Sequence, residues 1–191
     1  ALKHYSHRDQ AEAENIDVRE GVENTLTVFH NQLKHGILVN RHYEQVSKIT
    51  CNPGELNQIY SNLLVNSVHA MKGKGSIDIF IRERSIDAVL DSKNVHDDKK
   101  LETLLGDKPQ NRYVLITLQD SGPGIPAEYQ IKIFDPFFTT KAPGEGTGLG
   151  LGIIRNVVLK HNGLLAFSSQ PGCTRFTIAL PVEHVPPGEA E

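Results

Sequence analysis

Residues Leu118 to Ile153 read LQDSGPGIPAEYQIKIFDPFFTTKAPGEGTGLGLGI, and the two glycine-rich turns at its ends decide what kind of fold this chain adopts. Asp120 ends a β-branched and aliphatic run, Tyr113 to Leu118. Gly122 and Gly124 follow it at a spacing that lets backbone pass close to a flat ligand with no Cβ in the way. A lone carboxylate at such a place accepts a hydrogen bond from an exocyclic amine. Glycine then falls at every second position from Gly144 through Gly146, Gly148 and Gly150 to Gly152, ahead of the apolar series Leu151, Ile153, Ile154, Val157 and Val158. That pattern predicts a loop feeding a helix N-terminus. Unpaired N–H groups and the positive end of the helix dipole make phosphate its natural guest.

Taken singly, DSGPG is a surface turn and a glycine run is a mobile loop; the two together, in this order, carry the argument. Two familiar phosphate loops are excluded. No G-x-x-x-x-G-K-[ST] occurs, and the glycine run has neither a preceding strand of the βαβ kind nor an acidic residue at the expected distance beyond it. The pattern points to a nucleotide site of another design.

Around this stretch, 191 residues suit one domain with a real core. The net charge of -3 leaves no electrostatic footprint for nucleic acid, and no apolar run is long enough for a membrane span or a signal peptide. Cys51 and Cys173 form no C-x-x-C and sit in apparent core segments, so they are expected to be buried free thiols in a reducing cytosol. The start at Ala1 is read as the mark of a fragment or a processed product.

Polar residues 1–17 are expected to be a linker, the frayed end of a helix arriving from a missing segment. Val22, Leu26, Phe29 and Leu33 predict a helix from Val18, stopped by Gly36. Ile37 to Val39 and Val46 to Cys51 read as strands, the second ended by Asn52, Pro53 and Gly54. The next helix, Glu55 to Met71, has a wide apolar face. Its other side carries Gln58, Asn62, Asn66 and His69 at steps of four, four and three, which makes one polar stripe facing a single cleft. Alone, this stripe is equally well a solvent-facing surface. An amide oxygen there suits Mg²⁺ that phosphates already hold, and Asn66 or Asn62 fits that role.

Ser76 to Arg82 predicts a strand. Residues 83–111, rich in Asp and Lys, read as a charged surface insertion, and Arg112 to Gln119 resumes the core and delivers Asp120. Thr147 to His161 predicts a helix, and Leu164 to Ser169 with Cys173 to Leu180 a hairpin closed by Pro181. Residues 182–191 read as a disordered tail.

NLLVNSVHA (62–70) resembles the N box, DSGPGIP (120–126) the first glycine box, IFDPFFTTK (133–141) the F box and GEGTGLGLGI (144–153) the second glycine box of a known family. That family is the catalytic ATP-binding domain of two-component sensor histidine kinases, of the Bergerat type shared with type II topoisomerases, Hsp90 and mismatch-repair ATPases. The resemblance covers about 18–181. It implies a two-layer α/β sandwich, with a mixed, mostly antiparallel sheet covered on one face by helices and ATP held under a mobile lid.

Carried over by position, the resemblance makes Asn66 the Mg²⁺ ligand, Asn62 its companion near the phosphates and His69 a basic residue facing phosphate. Asp120 is the adenine-binding carboxylate, with Gly122, Gly124 and Ile125 as backbone around the base and Thr174 as a hydroxyl binding adenine through water. Gly146, Thr147, Gly148, Leu149 and Gly150 make the phosphate loop, and Lys141 in the lid reaches the terminal phosphates. Phe134, Phe137 and Phe138 are expected to pack the lid. Asn62 stands where the topoisomerase and Hsp90 branch has a catalytic Glu, which favours the kinase branch, and Gly152 departs from the Ser common there.

The activity implied is transfer of the ATP γ-phosphoryl group to a histidine, then onward to a response-regulator aspartate, with Asn66 and Lys141 serving catalysis. No histidine of the chain has the family's acceptor context, so the resemblance places the acceptor on an upstream dimerisation domain that is missing here. It further implies a homodimeric full-length protein, cytoplasmic in this segment and free to carry a membrane anchor elsewhere. A Ser/Thr kinase of the same fold and a non-catalytic nucleotide-binding module are the alternatives.

Overall fold

The computed structural model describes residues 13–85, 112–142, 144 and 146–182. In chain order the elements are β1 (Glu14–Ile16), α1 (Val18–Val28), α2 (His30–Leu33), β2 (Ile37–Tyr43), β3 (Ile49–Cys51), α3 (Pro53–Ala70), β4 (Gly75–Ser85), β5 (Arg112–Asp120), α4 (Ala127–Gln130), α5 (Gly150–Lys160), β6 (Leu164–Gln170) and β7 (Cys173–Pro181).

Five strands form one sheet in the order β2-β4-β5-β7-β6, with only β2 and β4 parallel, and β1 pairs with β3 in a small second sheet. Period-two alternation gives the sheet one dry face. Ile77, Ile79 and Ile81 of β4 are buried with Val114, Ile116 and Leu118 of β5, whereas Ser76, Asp78 and Phe80 on the other face are half-buried. Each such isoleucine contributes about 1.5–3 kcal/mol of burial. The opposing layer is α1, α3 and α5, packed against one another through α3. Leu56, Ile59 and Leu64 of α3 and Ile154 and Val158 of α5 join the same core. The result is the expected two-layer sandwich with helices on one face.

Local chemistry sets the helix starts. Asp17 caps α1 by accepting the Arg19 N–H at 2.9 Å, and Asn52 caps α3 by accepting the Glu55 N–H at 3.2 Å, with Pro53 opening the first turn. Where the structure departs from expectation, distant partners explain it. Glu14–Ile16, assigned to a linker, is a strand because β3 supplies its ladder. The first helix breaks at Phe29, which separates α1 from α2. Strand β2 runs on past Val39 through Asn40, Arg41 and His42, whose polar side chains find partners on neighbouring elements: Asn40 Nδ2 and His42 Nε2 both lie on Asp78 Oδ1, and Arg41 pairs with Glu23. β3 begins at Ile49 instead of Val46, β4 continues through Ser85, and α5 starts at Gly150 instead of Thr147.

Cys51 is buried, and burial pushes its thiol up to about 12, so it is inert; Cys173 is only partly buried. Of the expected linker, insertion and tail, residues 1–12, 86–111 and 183–191 lie outside the described residues.

Candidate functional site

The C-terminal end of β5 delivers Asp120 into the seam between sheet and helices, where it is 4% exposed. Burial raises its pKa, because desolvation penalises the charged form. Two donors oppose that: the Ser67 hydroxyl at 2.8 Å from Oδ2 and the Gly122 N–H at 2.9 Å from Oδ1. A Cβ at Gly122 would stand 2.7 Å from Asp120 Oδ1, and one at Gly124, whose φ is +82°, would stand 2.5 Å from the Gln170 carbonyl. These two glycines are therefore required by close approach, and the carboxylate's remaining acceptor capacity is held ready for an amine.

Thr174 of β7 lies directly across the ladder from Asp120 and is 6% exposed. Its Oγ1 is 2.9 Å from Ser169 Oγ, which accepts the Ile125 N–H at 2.7 Å. The first glycine turn is thus tied at Ile125 to the β6–β7 hairpin.

The other end of the site faces the polar stripe of α3. Asn62 and Asn66 are half-buried, and Gln58 and His69 are exposed. Lys141 Nζ lies 3.4 Å from Asn66 Oδ1, a pair 75 residues apart that the fold brings together. The start of α5 packs on the same helix, with a Cβ at Gly150 reaching 3.3 Å from Asn62 Oδ1. No side chain caps α5, and its first turn holds no acidic residue, so its opening N–H groups and positive dipole end suit an anion. The one local bond at this point joins the Leu149 N–H to Thr147 Oγ1 at 3.3 Å.

Two of the lid glycines carry a geometric demand. Gly148, at φ +66°, would place a Cβ 2.3 Å from the Phe137 carbonyl carbon, and its own carbonyl accepts the Phe137 N–H at 3.0 Å. At Gly146 a Cβ would meet Thr139 Oγ1 at 2.7 Å and the Lys141 side chain at 2.9 Å. Position 152 carries no comparable demand, its nearest neighbour being 3.9 Å away.

The phenylalanines divide. Phe134 packs edge-on to the core ring of Phe167 at 5.6 Å and Phe138 on Tyr129 at 5.7 Å, but Phe137 is 75% exposed at φ +67° and packs nothing. Three residues that sequence reasoning missed complete the site: Ser67, Ser169 and Gln130. The signal for Ser67 was available, since a hydroxyl on the core stripe of α3 needs a buried partner. Ser169 and Gln130 had no such signal.

The chain matches the model of the histidine kinase-, DNA gyrase B- and HSP90-like ATPases over residues 51–184. It is 36% identical over 141 residues to the sensor kinase CckA of Brucella abortus, covering 73% of this chain and 14% of that one. It is 34% identical over 140 residues to the sensor histidine kinase ZraS of Salmonella typhimurium, covering 73% and 24%. Among solved structures it is similar to the catalytic domain of the histidine kinase ThkA, with a TM-score of 0.69 at 23% identity over 90% of this chain and 97% of that one. It is likewise similar to the mycobacterial sensor histidine kinase MprB, with a TM-score of 0.66 at 21% identity over 91% and 99%. The chain spans between 14% and 43% of the length of the curated relatives it matches.

Proposed function

The chain belongs to the family of histidine kinase-, DNA gyrase B- and HSP90-like ATPases, as the ATP-binding catalytic domain of the sensor histidine kinase kind, and on that premise we propose how its residues handle ATP and where the phosphoryl group goes. Adenine lies against Gly122, Gly124 and Ile125 with its exocyclic amine on Asp120. The carboxylate held by Ser67 and the Gly122 N–H is the observation that carries this reading. The triphosphate runs along α3 past Asn62, Asn66 and His69 towards the uncapped start of α5, under Gly146 to Gly150 and Lys141.

The donor set fits Mg²⁺ that arrives with the phosphates. Asn66 Oδ1 is a neutral oxygen with a single long contact, and among the described residues no cluster of three or more His, Cys, Asp or Glu could hold a metal on its own. Asn66 is the ligand the chain supplies, with Asn62 beside it. When bound, the cation neutralises phosphate charge; the chain's own part is to fix the nucleotide, exclude alternatives and bring Lys141 to the terminal phosphates.

The reaction proposed is in-line transfer of the γ-phosphoryl group from ATP to a histidine imidazole nitrogen of a dimerisation domain outside this chain, and from there to a response-regulator aspartate. Positioning and charge stabilisation supply the rate, with Lys141 and the α5 amides stabilising charge as the terminal phosphate leaves. In this role the full-length protein acts as a homodimer. Among the described residues no helix is long and apolar enough to cross a membrane.

The test is phosphotransfer from γ-labelled ATP in the full-length native protein, with acid and base treatment of the product. An acid-labile, base-stable label is expected. An acid-stable label overturns the histidine reading in favour of a Ser/Thr kinase, and no label despite ATP binding leaves a nucleotide-sensing module.

A further inference from the structure

Ser169 stands one residue back from the adenine pocket and is joined to it from two sides. Its hydroxyl oxygen accepts the Ile125 N–H at 2.7 Å and lies 2.9 Å from Thr174 Oγ1. Its carbonyl accepts Gln130 Nε2 at 3.1 Å, and the same amide nitrogen donates to the Ile125 carbonyl at 2.8 Å. The loop at Ile125 is thereby held through both its N–H and its C=O, so the Ser169 hydroxyl cannot turn away without releasing an amide hydrogen.

A hydroxyl has one hydrogen and two lone pairs. With its oxygen already accepting from Ile125, Ser169 gives its hydrogen to Thr174 Oγ1, and Thr174, having accepted, directs its own hydrogen into the pocket. Thr174 is the direct ladder partner of Asp120, so both side chains rise from the same face of the sheet. The pair then presents an acceptor beside a donor. Adenine offers the complement, an amine hydrogen at N6 beside the lone pair of N1, whereas guanine offers the reverse, a carbonyl oxygen at position 6 beside a ring N–H.

We propose that Ser169 is a specificity-determining positioning residue: through Thr174 it fixes the hydroxyl that faces the base as a donor and so helps select adenine over guanine. The inference rests on the assignment of adenine to Asp120 and goes one residue beyond it. A site built to hydrogen-bond a ligand discriminates strongly against an analogue that lacks the group, because its own polar atom is left unpaired. Ser169 matters here by deciding which atom of Thr174 faces the ligand.

The test is a binding matrix. Affinities for ATP, GTP and 1-deaza-ATP, which keeps the N6 amine and lacks N1, are measured by calorimetry for the parent chain and for Ser169→Ala, Ser169→Thr, Thr174→Val and Asp120→Asn. Ser169→Ala is expected to weaken ATP about fivefold, the worth of one ordinary hydrogen bond, while leaving 1-deaza-ATP within about twofold and narrowing the ATP-over-GTP preference. Ser169→Thr, which keeps the hydroxyl, restores parental ATP binding, and Thr174→Val reproduces the Ser169→Ala pattern in a volume-conserving background.

Equal loss of ATP and 1-deaza-ATP in Ser169→Ala would reduce Ser169 to a loop tether and overturn the inference, as would parental behaviour in both Ser169→Ala and Thr174→Val. Should Ser169→Ala fail to fold, Thr174→Val decides alone by the same two readouts. Asp120→Asn separates the layers: if it binds ATP like the parent, the adenine assignment itself has failed. If it loses ATP while the serine and threonine variants show no N1 dependence, only the present inference has.

Discussion

The two ends of the nucleotide site are built on opposite principles. Around Asp120 the protein has already made its hydrogen bonds: both carboxylate oxygens, the Gly122 and Ile125 amides and the Ser169 and Thr174 hydroxyls all have partners within the chain. Around Asn66 the protein has left its groups open. The lysine contact is 3.4 Å long, α5 begins without a side-chain cap, and the crossing of lid and glycine loop is held by one Phe137–Gly148 bond with Phe137 exposed at positive φ. A base is flat, neutral and always the same, so a preformed surface recognises it at little reorganisation cost. A triphosphate carries charge that must be met and then released, so that end is left for the ligand to complete.

The largest break in this contrast comes from Asp120→Asn. An amide turns a donor where an acceptor is needed, and loss of a charge-assisted hydrogen bond of about 1.5–3 kcal/mol lowers ATP affinity by about ten- to a hundredfold. Unchanged affinity in calorimetry would mean that the preformed end does not bind the base. Next is Gly148→Ala, where positive φ costs about 1–2 kcal/mol and the Cβ meets Phe137 backbone at 2.3 Å. ATP affinity is expected to fall about tenfold with adenosine affinity unchanged; equal losses for both ligands would show that the two ends are not independent.

Ser67→Ala sharpens the comparison through pH. Asp120 has its pKa raised by burial, so its neutral form favours the fold: that contribution is complete below the ordinary value of 3.8 and is lost as pH rises through the raised folded value. Amine recognition has the opposite sign, because the carboxylate is the better acceptor. ATP affinity therefore falls as pH drops through the raised pKa, and removing the Ser67 donor moves that midpoint upward. Comparing parent and variant with the same nucleotide cancels the titration of the phosphates, and coincident midpoints would deny Ser67 its role.

The smallest effects belong to the open end. Asn66→Asp offers a charged ligand in place of a neutral one, and the Mg²⁺ needed for half-maximal ATP binding is expected to fall about three- to tenfold. If the titration overlays the parent curve, the metal role lies elsewhere. Lys141→Ala, removing a half-exposed cation, should cost ATP about threefold relative to adenosine.

Much of this was legible beforehand where the signal is local. The apolar period of β4, β5, α3 and α5 follows from side-chain geometry along one element, and Asp120, Gly122 and Gly124 announce themselves by type and spacing. Ser67 was half-legible, as a hydroxyl on an apolar stripe. Asn40, Arg41 and His42 were misread as the end of a strand because their partners Asp78 and Glu23 lie 38 or fewer residues away in sequence and on other elements. Glu14–Ile16 looked like linker because a three-residue strand has no period to detect.

By itself, then, the chain's order of residues determined the fold class, the carboxylate at the end of β5, the polar stripe of α3 and the glycines of both turns, since each depends on backbone freedom or on periodicity within a short window. Only the tertiary structure decided that Ser67 steadies Asp120 across 53 residues, that Lys141 meets Asn66 across 75 and that Ser169 stands between Ile125 and Thr174. Those are hydrogen bonds between distant elements, and a bond that depends on direction to a tenth of a turn and distance to a few tenths of an ångström exists only once packing has set both partners.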